Sequence, residues 1–212
     1  MRENEIYIET QSTYNAIAGL YAEKFMRLGL YNQSYDAFCA HLKQNASVLE
    51  IGCGPGNISH YLLDKMPGLQ ILGIDFAENM ISLARQNVPG AEFRQLDCRS
   101  VSALNTTFEA IISGFCIPYL APDDCQKLFQ DCFALLKPGG ISYFSFIEDH
   151  HERSGFQYSS DKRHRTYIYY YGEEQIRSGL IRAGLIPIET FRIEYPRGEG
   201  SEIHTIYLAQ KK

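Results

Sequence analysis

Apolar residues recur along this chain at two different spacings. From Ser12 onward the spacing is three or four residues, which is typical of an amphipathic helix capped by Ser12 or Thr13. A second, shorter helix is predicted through Tyr35, Phe38, Cys39 and Leu42. The apolar positions of the first helix are Tyr14, Ile17, Ala18, Tyr21, Phe25 and Leu28.

Beyond these helices, short apolar runs of β type alternate with longer helical patterns, which indicates βα units on a parallel sheet. Helices are expected around 57–65, 78–87, 122–136 and 173–183. The segment 148–166 is polar and is expected to be a loop or lid. Its basic run, 161–165, is expected to form a face exposed to solvent. After it, 166–171 resembles an aromatic strand that leads into a helix. The predicted strands are Ser47 to Ile51, Leu69 to Ile74, Ala91 to Gln95, Phe108 to Ser113 and Gly140 to Phe146.

The C-terminal segment contains two further β-like runs, Leu185 to Glu194 and Glu202 to Ala209, joined by a turn rich in Pro and Gly at 195–200. The order of elements predicts an α/β fold with a doubly wound, Rossmann-like seven-stranded sheet. The sheet should be mostly parallel, with a C-terminal antiparallel hairpin strand and helices on both faces.

Composition narrows the class of protein. The 212 residues are 45% apolar, which is enough for one sizeable core. A formal net charge of -5 offers no basic field for nucleic acid, so no nucleic-acid partner is expected. Six cysteines without a C-x-x-C pair indicate reduced thiols and a cytoplasmic protein. The absence of a leader-like or membrane-spanning apolar run predicts no membrane partner.

A glycine-rich turn, Gly52-Cys53-Gly54-Pro55-Gly56, follows the strand VLEI and precedes a helix near Asn57. Glycines let backbone amides approach a ligand, and the helix N-terminus favours a polar group there. Asp75 stands at the end of the next strand, where a carboxylate can accept hydrogen bonds from both hydroxyls of a ribose.

These residues belong to a longer ordered set: VLEIGCGPGNIS, LGIDFAENMI, FRQLDC, FEAIISGF and LLKPGG. The set resembles the motifs of class I S-adenosylmethionine-dependent methyltransferases of the small-molecule type, over about residues 47–147. The resemblance implies S-adenosyl-L-methionine as cofactor and S-adenosyl-L-homocysteine as product. It also implies one domain over 1–212, with a helical cap at 1–46, a cofactor-binding core at 47–147 and an acceptor-side part at 148–212.

The resemblance also implies a cofactor site. Glu50 and the glycine turn would surround the methionine moiety and ribose, and Asp75 would hold the ribose hydroxyls. Asp97 would accept from the adenine amino group, and the helix TYNAIAGLYAEKF would cap the methionine end. The implied cofactor-binding residues are Tyr14, Tyr21, Glu50, Gly52, Cys53, Gly54, Gly56, Asp75, Phe76, Met80, Asp97, Cys98, Ser113, Gly114 and Phe115.

Two other readings stay open. An NAD(P)-dependent oxidoreductase shares the strand, turn and acidic residue, but its fingerprint would place glycine where this chain has Asn57. A protein that binds the cofactor without transferring a methyl group would keep the same residues.

Smaller motifs favour ordinary structural roles. Cys116-Ile117-Pro118-Tyr119 lacks the amide side chain with which nucleic-acid amino methyltransferases hold a base. His150 and His151 have no further ligands at a suitable spacing, so no metal site is expected.

The expected reaction is S-adenosylmethionine-dependent methyl transfer to a small-molecule acceptor. His150 and Tyr119 are the candidates for an acid-base group, although an activated methyl group makes a dedicated base optional. The acceptor, the atom methylated and the oligomeric state stay open.

Overall fold

A computed structural model describes residues 3–159, 162–198 and 200–212. Its main sheet contains seven strands in the order β3-β2-β1-β4-β5-β9-β8, and β6 pairs with β7 in a separate hairpin. The strands are β1 (Ser47–Ile51), β2 (Gln70–Asp75), β3 (Glu92–Gln95), β4 (Phe108–Ser113), β5 (Leu136–Glu148), β6 (Gly155–Tyr158), β7 (Arg165–Ile168), β8 (Leu185–Arg197) and β9 (Gly200–Lys211).

Within the described residues, six α-helices surround the strands, and short 3-10 segments join several of the elements. Helix α3 begins directly after the glycine turn, as its spacing predicts. The helices are α1 (Glu3–Phe25), α2 (Asn32–Ala40), α3 (Asn57–Lys65), α4 (Glu78–Asn87), α5 (Pro122–Leu135) and α6 (Glu173–Arg182).

The direction of chain travel along the sheet reverses next to β1. From β1 the chain moves through β2 to β3, and then returns to place β4 on the other side of β1. Such a switch point opens a crevice at the carboxyl ends of the strands, where ligands bind in this class of sheet. Strand β9 is antiparallel to both β5 and β8. The predicted α/β fold with its C-terminal antiparallel strand is therefore confirmed.

The core lies on both faces of the sheet, because successive side chains of a strand point to opposite sides. In β1, Leu49 and Ile51 belong to one apolar cluster with helices α5 and α6, whereas Val48 belongs to the cluster covered by α2 and α3. In β4, Ile111 and Ile112 divide in the same way. Burial on both faces explains why these strands read as continuous apolar runs.

Three sequence expectations need correction. Helix α1 begins at Glu3 rather than near Ser12, because Ile6, Tyr7, Thr10 and Thr13 are buried and extend the packed face backward.

The second correction concerns the expected loop at 148–166, which contains β6 and the first half of β7 as an antiparallel hairpin. The polar sequence concealed this hairpin, whose residues are mostly half-buried. Residues 160 and 161 of the same segment lie outside the described residues.

The third correction concerns three strand ends. Strand β5 begins at Leu136, inside LKPGG, and the hairpin strands extend to Arg197 and from Gly200, which shortens the turn. Residue 199, in that turn, lies outside the described residues. Within the part of the chain that the structure describes, no helix is long and apolar enough to cross a membrane.

Candidate active site

The glycine turn between β1 and α3 forms the floor of the crevice at the switch point. The amides of Gly52 and Cys53 both donate to the carbonyl of Ile74 in β2, at 2.8 and 2.9 Å. Gly54 and Gly56 have φ angles of +52° and +88°, which residues with a side chain rarely adopt. The turn is therefore bound to β2 and held close to the neighbouring elements.

Asp75, the last residue of β2, links the turn to the following helix. Its Oδ2 accepts from the amide of Gly54 at 3.0 Å, and its Oδ1 accepts from the amide of Ala77 at 2.9 Å. Burial raises the pKa of Asp75 to about 6. An ionised carboxylate has about four lone-pair positions, so two remain for a ligand with hydroxyl groups.

Glu50, the penultimate residue of β1, pairs with Gly73 of β2 and is fully buried. The Ser59 hydroxyl, in α3, donates to Oε2, whereas Oε1 has no hydrogen-bond partner among the described residues. Burial raises the pKa of Glu50 from 4.5 to about 8. Buried polar atoms are almost always paired, so Oε1 is a candidate for a donor supplied by a ligand.

A cavity of about 80 Å³ lies above these groups. Among the residues implied by the sequence, it is lined by Tyr14, Tyr21, Gly52, Gly54, Asp75, Phe76, Met80, Asp97, Cys98, Gly114 and Phe115. Sequence reasoning missed Tyr7, Leu96, Arg99, Cys116 and Leu120, which also line it. Nothing in their local sequence pattern distinguishes these five from ordinary core or surface positions.

Four residues of the implied set do not line this cavity: Glu50, Cys53, Gly56 and Ser113. Cys53 packs with Ile81 and Phe93 on the far side of the turn. A Cβ atom on Gly56 would lie 2.9 Å from Val88, so this glycine serves close packing of α3 against α4. Cys53 and Gly56 therefore support the turn from behind.

Asp97 is held by an arginine that the sequence analysis did not consider. The Arg99 guanidinium contacts both oxygens of Asp97, with the shortest distance, 2.6 Å, between Nη2 and Oδ2. Burial alone would raise the pKa of Asp97, but the hydrogen bonds from Arg99 lower it overall. The guanidinium also lies 3.9 Å from the centre of the Tyr7 ring. Asp97 is thus ionised and oriented at the edge of the cavity.

Helix α1 covers the cavity. Gln11 Nε2 donates to the Phe76 carbonyl at 2.6 Å, which ties the helix to the segment after β2. Tyr14 and Tyr119 share a hydrogen bond between their hydroxyls, and the rings of Tyr14 and Tyr21 lie 5.8 Å apart. The predicted tyrosines therefore face the cavity together with Tyr119.

A second cavity of about 470 Å³ adjoins the first. Its walls come from α1, the 3-10 segment at 29–31 and the two hairpins. Aromatic side chains dominate, with cationic groups at Lys24, Arg165 and Arg197. The residues that line both cavities are Tyr14, Tyr21, Gly52, Gly54, Gly114, Phe115 and Tyr119. Two molecules bound in the two cavities would meet at this shared wall.

The two acid-base candidates have different positions. Tyr119 lines both cavities, whereas His150 is exposed and lines neither of them. The His150 amide donates to the Asp149 carboxylate at 2.7 Å as the chain turns into a short 3-10 segment. This turn leaves the imidazole of His150 at the surface.

Comparison with known proteins adds a family to this geometry. Residues 48–140 match the family described as "Methyltransferase domain". A methyltransferase of Bacillus subtilis (strain 168) is 33% identical over 138 residues, covering 62% of this chain and 54% of its own length. The tRNA N(3)-methylcytidine methyltransferase trm140 of Schizosaccharomyces pombe (strain 972 / ATCC 24843) is 33% identical over 133 residues, covering 57% of this chain and 43% of its own length. The chain spans about half the length of these relatives.

Solved structures share the whole fold. The 1,6-didemethyltoxoflavin-N1-methyltransferase of Burkholderia thailandensis matches with a TM-score of 0.76 at 19% identity, covering 100% of this chain and 91% of its own. The magnesium protoporphyrin IX methyltransferase of Synechocystis PCC 6803 matches with a TM-score of 0.73 at 16% identity, covering 100% of this chain and 98% of its own. At these identities the likeness concerns the fold alone.

Proposed function

We infer from the match to the family described as "Methyltransferase domain" that this chain is a class I S-adenosylmethionine-dependent methyltransferase, and we propose that it methylates a small-molecule acceptor. The observation that carries the proposal is the pair of buried carboxylates, Glu50 and Asp75, beside the glycine turn. They lie near the carboxyl ends of adjacent strands, and the Gly54 amide donates a hydrogen bond to Asp75.

The Asp75 carboxylate favours a cationic ligand over a dinucleotide. A pyrophosphate at the turn would lie beside this carboxylate, and like charges at close range in a buried site repel strongly. Arg99, the cation that lines the small cavity, is already paired with Asp97. S-adenosylmethionine instead has a positive sulfonium, an ammonium group and ribose hydroxyls. The unpaired Oε1 of Glu50 and the free lone pairs of Asp75 fit such a ligand.

When bound, the cofactor supplies a methyl group that its sulfonium already activates. The chain's own residues would bind and orient the reactants, and Asp75 would accept hydrogen bonds from the ribose hydroxyls. Helix α1, through Tyr14 and Tyr21, would exclude water. Alignment of two reactants in adjoining cavities can supply roughly 7 to 11 kcal/mol of barrier reduction.

The size of the second cavity supports a small acceptor. Its volume of about 470 Å³ lies within the usual range of small-molecule pockets. The formal net charge of -5 gives no overall electrostatic attraction for RNA, although some relatives are tRNA methyltransferases. The acceptor is therefore proposed to be a metabolite rather than a nucleic acid.

Calorimetric titration with S-adenosylhomocysteine and, separately, with NAD tests the cofactor site. We expect the first to bind and the second not to. Asp75→Asn should weaken S-adenosylhomocysteine binding about 30-fold, which corresponds to roughly 2 kcal/mol for lost hydrogen bonds to a charged acceptor. Asp64→Asn, at an exposed aspartate of α3, is the matched control and should bind normally.

Binding of NAD alone, or equal affinity of the Asp75→Asn and Asp64→Asn proteins, would overturn the assignment of the site. Transfer of labelled methyl from S-adenosylmethionine to pooled small metabolites separates an active enzyme from a silent binder. Tight cofactor binding with transfer to RNA but to no metabolite would contradict the small-molecule acceptor.

A further inference from the structure

His204, in β9, is a buried histidine in the wall of the larger cavity, and nothing in the preceding assignment uses it. We propose that His204 takes the proton from an aromatic acceptor with an acidic hydroxyl or ring N–H. The proposal rests on the proposed function, because it assigns the class of acceptor and the base for the same reaction.

The surroundings of His204 leave one ring nitrogen available. The side chain is 6% exposed, and its Nδ1 lies 2.7 Å from the Tyr31 hydroxyl. Its Nε2 has no hydrogen-bond partner among the described residues. Glu202 Oε2 lies 3.8 Å from Nε2, beyond hydrogen-bond range but close enough for an ion pair. Nε2 can therefore accept a proton.

Tyr31 and Glu202 support this role in different ways. Burial raises the pKa of Tyr31, which keeps its phenol neutral. If Nδ1–H donates to that hydroxyl, the lone pair is on Nε2. Burial alone would raise the pKa of Glu202, but His204 and Arg197 lower it overall, so the carboxylate is ionised. Once Nε2 gains a proton, Glu202 stabilises the resulting imidazolium.

The position of His204 relative to Phe115 links the base to the site of transfer. The two rings lie 4.7 Å apart, and Phe115 lines both cavities. The Tyr195 ring is stacked with His204 at 4.9 Å and an interplanar angle of 11°. A flat aromatic acceptor suits these walls, because aromatic rings gain from offset and edge contacts.

The step balances without another reagent. The acceptor's O–H or N–H bond breaks, and its proton goes to Nε2 of His204. The electron pair left on the oxygen or nitrogen forms the new bond to the methyl carbon, while the carbon–sulfur bond breaks and its electrons go to sulfur. The imidazolium then loses its proton to solvent.

Charged and titratable groups line the cavity wall around His204. The Lys24 ammonium lies 6.0 Å from the centre of the Tyr195 ring, which stacks on His204. Arg197 is paired with Glu202. The groups are Lys24 of α1, Tyr31 of the 29–31 segment, Tyr195 and Arg197 of β8 and Glu202 of β9.

The test uses p-nitrophenol, whose phenolate absorbs visibly, and p-nitroanisole, which has the same ring but no acidic proton. The full chain saturated with S-adenosylhomocysteine is titrated with each probe, in buffer acidic enough that free p-nitrophenol is mainly neutral. We expect bound p-nitrophenol to show the phenolate band in the wild-type protein. His60→Gln, at an exposed histidine of α3, is the matched control and should behave like the wild type.

His204→Gln keeps a polar side chain of similar length but removes the base. We expect the phenolate band to disappear and the affinity for p-nitrophenol to fall about tenfold, as for a lost hydrogen bond to a charged group. Binding of p-nitroanisole should stay within a factor of about two of the wild type, because that probe makes no such bond. A purely structural histidine would change both probes equally.

Several results would overturn the proposal. One is an unchanged phenolate band in His204→Gln; another is bound p-nitrophenol that stays neutral in the wild-type protein, a result that needs no variant. Failure of both probes to bind while S-adenosylhomocysteine binds would refute the aromatic acceptor and leave the cofactor site intact. Failure of S-adenosylhomocysteine itself to bind would refute the proposed function as well.

Discussion

Glu50 should make the stability of this protein fall as the pH rises. Its carboxyl is fully buried, and burial raises its pKa from 4.5 to about 8. A pKa that is raised in the folded state means that folding favours the protonated group. Its contribution to stability is fully present below about pH 4.5 and is lost as the pH rises through about 8. Replacing Glu50 by Gln removes this dependence, because Gln does not ionise.

The magnitude follows from the two pKa values. Each unit of pKa difference corresponds to about 1.4 kcal/mol. Between about pH 6 and about pH 8.5 the contribution of Glu50 should lower the free energy of unfolding by roughly 2 to 3 kcal/mol. The pKa of Asp75 is also raised, to about 6, so most of its contribution is lost below this range.

Urea unfolding of the ligand-free protein at these two pH values measures the effect. We expect the wild type to lose stability across the range and Glu50→Gln to lose less, by that same 2 to 3 kcal/mol. Glu109→Gln is the matched control. Lys137, followed by Ser47, lowers the pKa of Glu109 to about 2, so the group stays ionised throughout and its removal should leave the slope unchanged.

Equal pH dependence in the wild type and in Glu50→Gln would refute this reasoning. It would mean that Glu50 titrates alike in the folded and unfolded chains, and that its burial is compensated by partners that the structure does not contain. An altered slope in Glu109→Gln would show that the difference reflects net charge rather than burial.

Three further changes test other parts of the site. Gly54→Val should cost about 1 to 3 kcal/mol of unfolding free energy, because φ is +52° at this position. The same change should abolish binding of S-adenosylhomocysteine in calorimetry, and normal binding would contradict the role of the turn. Tyr119→Phe should cost about 1 kcal/mol in urea unfolding and speed amide exchange in α1, because the hydrogen bond to Tyr14 is lost. Unchanged exchange would show that this hydrogen bond does not hold α1 in place. Arg99→Ala should cost about 1 to 2 kcal/mol at neutral pH by removing the partner of Asp97, whose pKa is lowered. Because a lowered pKa stabilises only the ionised form, that cost should shrink as the pH falls through the pKa of Asp97; a cost independent of pH would contradict the pairing.

Much of the fold could be predicted because its elements are encoded locally. Strands β1 and β4 have the predicted bounds, and α3 begins and ends where expected. Their signals are strong: buried apolar runs, and a glycine turn before a helix. The predictions were weaker where packing overrides local pattern, as at the start of α1, where Tyr7 is buried by contact with α5 and donates to Asp124 at 2.7 Å.

The candidate site divides in a similar way. Residues within the family's motifs, such as Gly54 and Asp75, could be named because their spacing reflects a strand, a turn and a helix. His204 could not, because its neighbours are distant in the chain. Arg99 lies only two residues from Asp97, but its contact with the Tyr7 ring comes from a distant part of the chain. His204 contacts Tyr31 from 173 residues away, and no periodicity records such a contact. The roles of the predicted residues in binding the cofactor stay predictions.

The sequence by itself determined the alternation of helices and strands, the glycine turn and the acidic residues at the ends of β1 and β2, because these features depend on neighbours a few positions apart. Only the tertiary structure decided that α1 covers the crevice, that Tyr7 packs on the Arg99 guanidinium, and that the hairpin of β8 and β9 brings His204 to the larger cavity. The physical reason is that burial and pairing depend on which distant surfaces meet when the sheet forms.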